Sequence, residues 1–178
     1  MNRVLSEFQS GSMTIAYLLN ETDACGMAVF PTIRRSEVLL EDMTFEPLVH
    51  LFLTGDGYPT GFSNGVSMRR SSTTKVLSYQ TQHVENSVVE TVLSTPEGVV
   101  VRHFCRLCGE VIETACTVEN STNLEIGVEL LTSFALNTGV FGSIQNEKAV
   151  LHRLKSAWSS ENRLLSQTMT ELNMEESW

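Results

Sequence analysis

Basic side chains are scarce in this sequence and nowhere cluster. Twelve Lys and Arg stand against 21 Asp and Glu, a formal net charge of −9, and the densest groups are the pairs Arg34-Arg35 and Arg69-Arg70. Neutralising a phosphate backbone or an anionic membrane takes clustered cations, so nucleic acid and membrane are poor partners. A neutral ligand such as a sugar meets no such obstacle, although acidity alone also serves solubility. Long apolar runs are missing too. No stretch approaches the roughly eighteen residues of a transmembrane helix. Cysteine is sparse: Cys25, Cys105, Cys108 and Cys116 are too few to staple a chain of this length, so a reducing, cytoplasmic setting is expected. Met1–Ser10 carries Arg3, Glu7 and Gln9 without an apolar core and small-residue cleavage site, and does not read as a secretory signal. Aspartate occurs only at positions 23, 42 and 56.

What is present is an ordinary globular composition, 42% hydrophobic and 19% charged, over 178 residues. That length suits one domain with a sizeable core. No internal repeat or low-complexity linker divides it, so residues 1–178 are read as a single domain.

Alternation with period two dominates the pattern. From Leu124, the side chains of Ile126, Val128, Leu130, Thr132, Phe134 and Leu136 fall on one face, and Glu125, Gly127, Glu129, Leu131, Ser133 and Ala135 on the other. This predicts one long half-buried strand. Val99–Leu107 and Glu110–Val118 flank Cys108-Gly109 as a hairpin. That register would pair Cys105 with Ile112, His103 with Thr114 and Val101 with Cys116, with Arg102, Arg106 and Glu113 on the opposite face. Met13–Leu19, Met27–Ile33, Pro47–Thr54, Lys75–His83 and Ser87–Ser94 are further strand candidates. Thr95-Pro96-Glu97-Gly98 and Asn120-Ser121-Thr122-Asn123 separate others as turns. Many short strands at close spacing predict an all-β antiparallel sandwich. Near the end, Val150, Leu151, Leu154, Trp158, Glu161 and Leu165 fall near helical spacing without a clear cap, and a closing strand is the rival reading.

Several strings, in one order along nearly the whole chain, resemble those of bacterial α-galactosidases of glycoside hydrolase family 36. They are Val4-Leu5-Ser6-Glu7-Phe8-Gln9-Ser10-Gly11, Phe45-Glu46-Pro47-Leu48-Val49-His50, Gly55-Asp56-Gly57-Tyr58-Pro59 and Ser67-Met68-Arg69. Leu130-Leu131-Thr132-Ser133-Phe134, Leu151-His152-Arg153, Ser156-Ala157-Trp158-Ser159 and the final Glu175-Glu176-Ser177-Trp178 complete the set. The resemblance implies an amino-terminal antiparallel β-supersandwich, similar in shape to galactose mutarotase, placed before a catalytic (β/α)8 barrel. It also implies a closing strand around Leu151–Trp158, and a homo-oligomeric parent enzyme that hydrolyses terminal α-galactosides such as raffinose-type sugars with retention.

Retaining hydrolysis needs two carboxylates flanking the scissile bond, one as nucleophile and one as acid. In the family these are barrel aspartates. None of the three aspartates here stands in a Lys-x-Asp-x-Asn setting, and no acid/base motif is present. The expectation is a non-catalytic domain that needs no cofactor and whose partners are the catalytic barrel of the parent and its sugars. The rival is a stand-alone sugar-binding or mutarotase-like sandwich, and a blander third possibility is an oligomerisation module.

Candidate site residues follow from chemistry and resemblance together. Gly55-Asp56-Gly57-Tyr58-Pro59-Thr60-Gly61-Phe62 joins one carboxylate to two aromatics on a flexible backbone. Asp56 could accept sugar hydroxyls, Tyr58 and Phe62 could stack on a pyranose face, and Arg69 follows at the edge of the next element. Read plainly, the same stretch is a connecting loop. Met68 reads as packing, and Trp158 and Trp178 as packing or docking residues more than sugar platforms.

His103-x-Cys105-x-x-Cys108 resembles half a zinc site, but Cys25 and Cys116 form no second pair. Cys105 and Cys108 would also face opposite sides of a strand, so thiols without metal are expected. Four histidines, His50, His83, His103 and His152, could supply a mutarotase-like acid/base pair only if one met a glutamate across a cleft. Satisfied core or surface histidines are the simpler expectation.

Overall fold

The computed structural model describes residues 1–58, 70–136, 150–154, 163–168 and 170–172. Within these the chain is an antiparallel all-β, sandwich-like fold. The first layer holds β1 (Arg3–Ser10), β2 (Met13–Leu19) and β3 (Cys25–Pro31) in that order. The second holds β5 (Ser78–Glu85), β6 (Val88–Ser94), β7 (Val99–Cys108) and β8 (Val111–Asn120), also in chain order. Between them in sequence come the three-residue β4 (Leu51–Leu53) and the short helix α1 (Ser72–Val76). Beyond β8, β9 (Val128–Leu131) pairs with β4, and β10 (Val150–Leu154) pairs with β11 (Leu164–Thr168).

Local chemistry sets the connections. The β5–β6 turn is Asn86-Ser87, both at positive φ (49° and 63°), the backbone a two-residue hairpin with right-handed strand twist requires. Between β2 and β3, Asn20 Oδ1 accepts the amides of Thr22 and Ala24 at 2.9 and 3.0 Å, and Asp23 takes positive φ there. The two layers bury one continuous core between them. Ile15, Tyr17, Leu19, Cys25 and Met27 face Val89, Leu93, Val99, Val101 and Cys105. On its outer side the first layer is covered by residues after β3, where Val38, Leu40, Met43 and Phe45 close over Ala16, Leu18, Ala28 and Phe30.

Four local expectations need correction. The β7–β8 hairpin exists with the expected faces, but its turn is Gly109-Glu110, one residue on. Cys105 lies opposite Thr114, His103 opposite Cys116 and Val101 opposite Val118. The reason is backbone freedom: Gly109 takes the left-handed φ of +63° that Cys108 would adopt only with strain. Second, the long strand from Leu124 to Leu136 shrinks to Val128–Leu131, because its partner β4 ends at Leu53 and the chain turns at Gly55, φ +91°. Third, Pro47–Thr54 is strand only over Leu51–Leu53, where Thr132 and Ala135 hold its upstream residues by single bonds instead of a ladder. Fourth, the start of Lys75–His83 is the end of α1, because Ser71 caps the helix by accepting the Thr74 amide at 3.1 Å.

Met13–Leu19 is the strand read from sequence, and Ser87–Ser94 matches β6 to within a residue. Met27–Ile33 begins two residues earlier and gives way after Pro31 to a 3-10 turn, Thr32–Glu37. Leu151–Leu154 is strand; Trp158 and Trp178 lie outside the described residues.

Candidate functional site

Asp56 follows β4 on the turn opened by Gly55, and its carboxylate is met from within the protein. Oδ2 accepts the Leu53 amide at 3.0 Å. Oδ1 accepts the Ser72 hydroxyl at 2.8 Å and the Thr73 hydroxyl at 2.7 Å. Next to it, Gly57 N–H donates to the Ser72 hydroxyl and Ser72 N–H donates to the Gly57 carbonyl, at 3.2 and 2.9 Å. The two ends of the 57–72 segment are therefore tied side by side at a neck, one side from β4 and the other from the first turn of α1. Partial burial pushes the Asp56 carboxyl up, but the bonds from the Leu53 amide and from the Thr73, Ser71 and Ser72 hydroxyls outweigh it and hold the group below its ordinary value.

Tyr58 stands at the same neck and meets Phe52 edge to face, ring centroids 6.0 Å apart at 84°. Phe52 in turn lies opposite Leu130 across the β4–β9 pair. Of the four site residues read from sequence, Asp56 and Tyr58 both stand at the neck but on different partners, the carboxylate on Leu53, Ser72 and Thr73 and the ring on Phe52. Phe62 and Arg69 lie outside the described residues.

A second polar group sits beside the neck and was missed from sequence. Glu46 Oε2 lies 3.6 Å from His50 Nε2 and 3.5 Å from Arg70 Nη2, with Glu46 and His50 both largely buried. Arg70 Nη2 also donates to the Phe45 carbonyl at 3.3 Å. Glutamate and histidine four apart in Glu46-Pro47-Leu48-Val49-His50 were visible, but their meeting needs a bend that period-two reading does not supply. The signal for the neck was the hydroxyl run Ser71-Ser72-Thr73-Thr74 following Asp56 at a loop's distance.

The remaining candidates fall apart spatially. His103 and Cys105 are fully buried, whereas Cys108 is exposed beside the β7–β8 turn. Among the described residues no three His, Cys, Asp or Glu side chains converge as a metal site. His83 and His152 are exposed, near Glu85 and bonded to Ser166 respectively. Among the described residues no helix is long and apolar enough to cross a membrane.

One groove of about 670 Å³ adjoins the neck. Leu53, Val76, Val99 and Ile126 contribute apolar walls, and Glu97 and Glu125 stand among its polar residues. No protein-family profile, curated protein or solved structure matches this sequence.

Proposed function

We propose that the chain is the non-catalytic amino-terminal β-sandwich domain of a cytoplasmic, homo-oligomeric α-galactosidase acting on raffinose-type sugars, and that it docks on a catalytic barrel and helps shape its sugar pocket. The observation that carries this reading is the neck. It fixes both ends of the segment bearing Phe62 and Arg69 at one place on a rigid β scaffold, the arrangement a binding loop needs. Beside it, Leu124, Val128, Leu130 and Phe134 keep their apolar side chains exposed, Leu124 by 76%. Such a surface suits docking against another protein layer. The family resemblance of the strings around Asp56 supplies the substrate class.

Two measurements test it together. Purified chain is assayed for nitrophenol release from an α-galactoside, and the encoding gene is read past Trp178 for a barrel with two aspartate motifs. No turnover and a downstream barrel are the expected pair. Turnover that disappears on replacing one of this chain's own carboxylates would overturn the proposal, as would saccharide binding by a chain whose gene encodes no barrel.

A further inference from the structure

His103 is fully buried at the centre of the sandwich, and neither ring nitrogen has a hydrogen-bond partner. It projects from the inner face of β7 between Thr91 of β6 and Cys116 of β8. Covering it is the irregular stretch 132–136, which leaves β9 and runs back along residues 48–50. The Cys116 thiol reaches the Ser133 carbonyl at 3.6 Å. That carbonyl also lies near the imidazole without meeting hydrogen-bond geometry.

The cover is lightly held. Thr132 N–H donates to the His50 carbonyl and Ala135 N–H to the Leu48 carbonyl, both at 3.0 Å, and His50 N–H donates to the Thr132 hydroxyl at 2.8 Å. A single bridge between Met27 and Leu136 follows. Ser133 is exposed, and Phe134 and Leu136 keep 46% and 40% of their surface in solvent, so the stretch is only partly packed down. Opening free energies are lowest where few contacts and few backbone bonds must break.

We propose that residues 132–136 form an acid-released latch over His103. An imidazolium carries two N–H donors, and in the closed core the Ser133 carbonyl lies near the ring without forming a hydrogen bond to either nitrogen. Lifting the stretch admits water to the ring while the two sheets stay paired, because no β6–β7 or β7–β8 ladder bond involves it.

The sign follows from burial, which pushes His103 down from 6.5 to about 4, only partly offset by the Ser133 carbonyl. Above the ordinary value the closed form is fully favoured. As pH falls from 6.5 towards 4 the open form gains, by roughly tenfold for each pH unit, because it binds the extra proton.

The titratable groups around the ring offer no counter-charge. Tyr17 of β2, Cys25 of β3, Cys105 of the same strand and Cys116 of β8 are neutral here, burial pushing each of them up. Arg102, Glu90 and Glu119 pair on the outer face of the sheet. On the stretch that holds the latch, His50 pairs with Glu46, which Arg70 also approaches. His50 is thus the second imidazole on this stretch, which the test must separate from His103.

Amide hydrogen exchange from pH 7 to 4, corrected for intrinsic rates, tests the latch. Protection at Thr132 and Ala135 should fall roughly tenfold per pH unit, while amides of β6 and β7 keep theirs. His103→Leu should remove the fall, and His50→Gln should retain it. Three results would overturn the proposal: unchanged protection at pH 4, loss at Thr132 together with β7, or a fall that vanishes with His50 and persists without His103. The first two are read on the unsubstituted protein, so they stand even if His103→Leu fails to fold.

Discussion

Thr73 donates its hydroxyl to Asp56 Oδ1 at 2.7 Å across seventeen residues of chain, and this bond, with the one from Ser72, closes the neck between β4 and α1. Asp56 is thereby a structural anchor whatever else it touches. Asp56→Ala leaves the Leu53 amide and two hydroxyls without their acceptor, so it should lower stability by about 1–3 kcal/mol, read as a drop in Tm or in denaturant midpoint. The effect should depend on acidity. The folded carboxyl is held below its ordinary value, so its contribution is present above the unfolded pKa of roughly 4 and is lost as pH falls through the folded one. Parent and variant should converge in acid. An unchanged Tm at neutral pH would mean that the neck is held by its backbone bonds alone.

The strands with their own hairpin partners were legible because each carries its pairing information locally. Val88–Ser94 alternates, Met13–Leu19 is a short, mostly apolar run buried on both faces, and both end at turn residues and pair with sequence neighbours. The long run after Leu124 misled because alternation describes a side-chain pattern and not the length of the partner. Leu51–Leu53 lies far away in sequence and is short, so the apolar face of the run stays exposed over Leu124, Val128, Leu130 and Phe134. At the site, composition pointed to Asp56 and Tyr58. That Asp56 would spend its oxygens on Ser72 and Thr73 depends on chain closure, which no local window contains.

Gly26 is placed by contact and not by a turn. Its position in β3 is fully buried, and a Cβ there would overlap the Phe45 ring and stand 2.7 Å from the Glu46 carbonyl. Phe45 belongs to the cover over Ala28 and Phe30 and cannot withdraw without opening it. Gly26→Ala should therefore cost about 1–3 kcal/mol by overpacking. It should also disturb the Glu46–His50–Arg70 group next door, visible as shifted His50 ring resonances. Gly57→Ala, with open space around its Cβ position, serves as the control and should change stability far less.

Glu110 joins the two layers at one end of the sandwich. Its carboxylate accepts the Ser12 amide at 2.9 Å and the Ser12 hydroxyl at 2.8 Å, bridging the β7–β8 turn to the β1–β2 turn. Ser10 adds a bond from its hydroxyl to the Gly109 carbonyl at 2.6 Å. The Glu110 site is exposed, so Glu110→Gln should cost no more than about 1 kcal/mol. Exchange at the Ser12 amide should nevertheless accelerate selectively. Equal protection in both proteins would show that the turns do not depend on this carboxylate.

Tyr17 offers the converse case, a buried polar atom whose removal should help. The ring is fully buried between the layers and meets Phe8 edge to face, centroids 6.1 Å apart at 81°. Its hydroxyl has no hydrogen-bond partner. Folding therefore strips that oxygen of water without replacing the lost bond, while the ring supplies packing that phenylalanine would supply equally. Tyr17→Phe should leave Tm unchanged or raise it, by up to about 1 kcal/mol in stability. Tyr17→Ala should lose about 3–5 kcal/mol by opening a cavity in the shared core. The pair of variants separates the two parts of the side chain. A loss of more than about 1 kcal/mol in Tyr17→Phe would show that the hydroxyl is bonded in solution, with the adjacent Thr91 and Cys105 as the partners to test next.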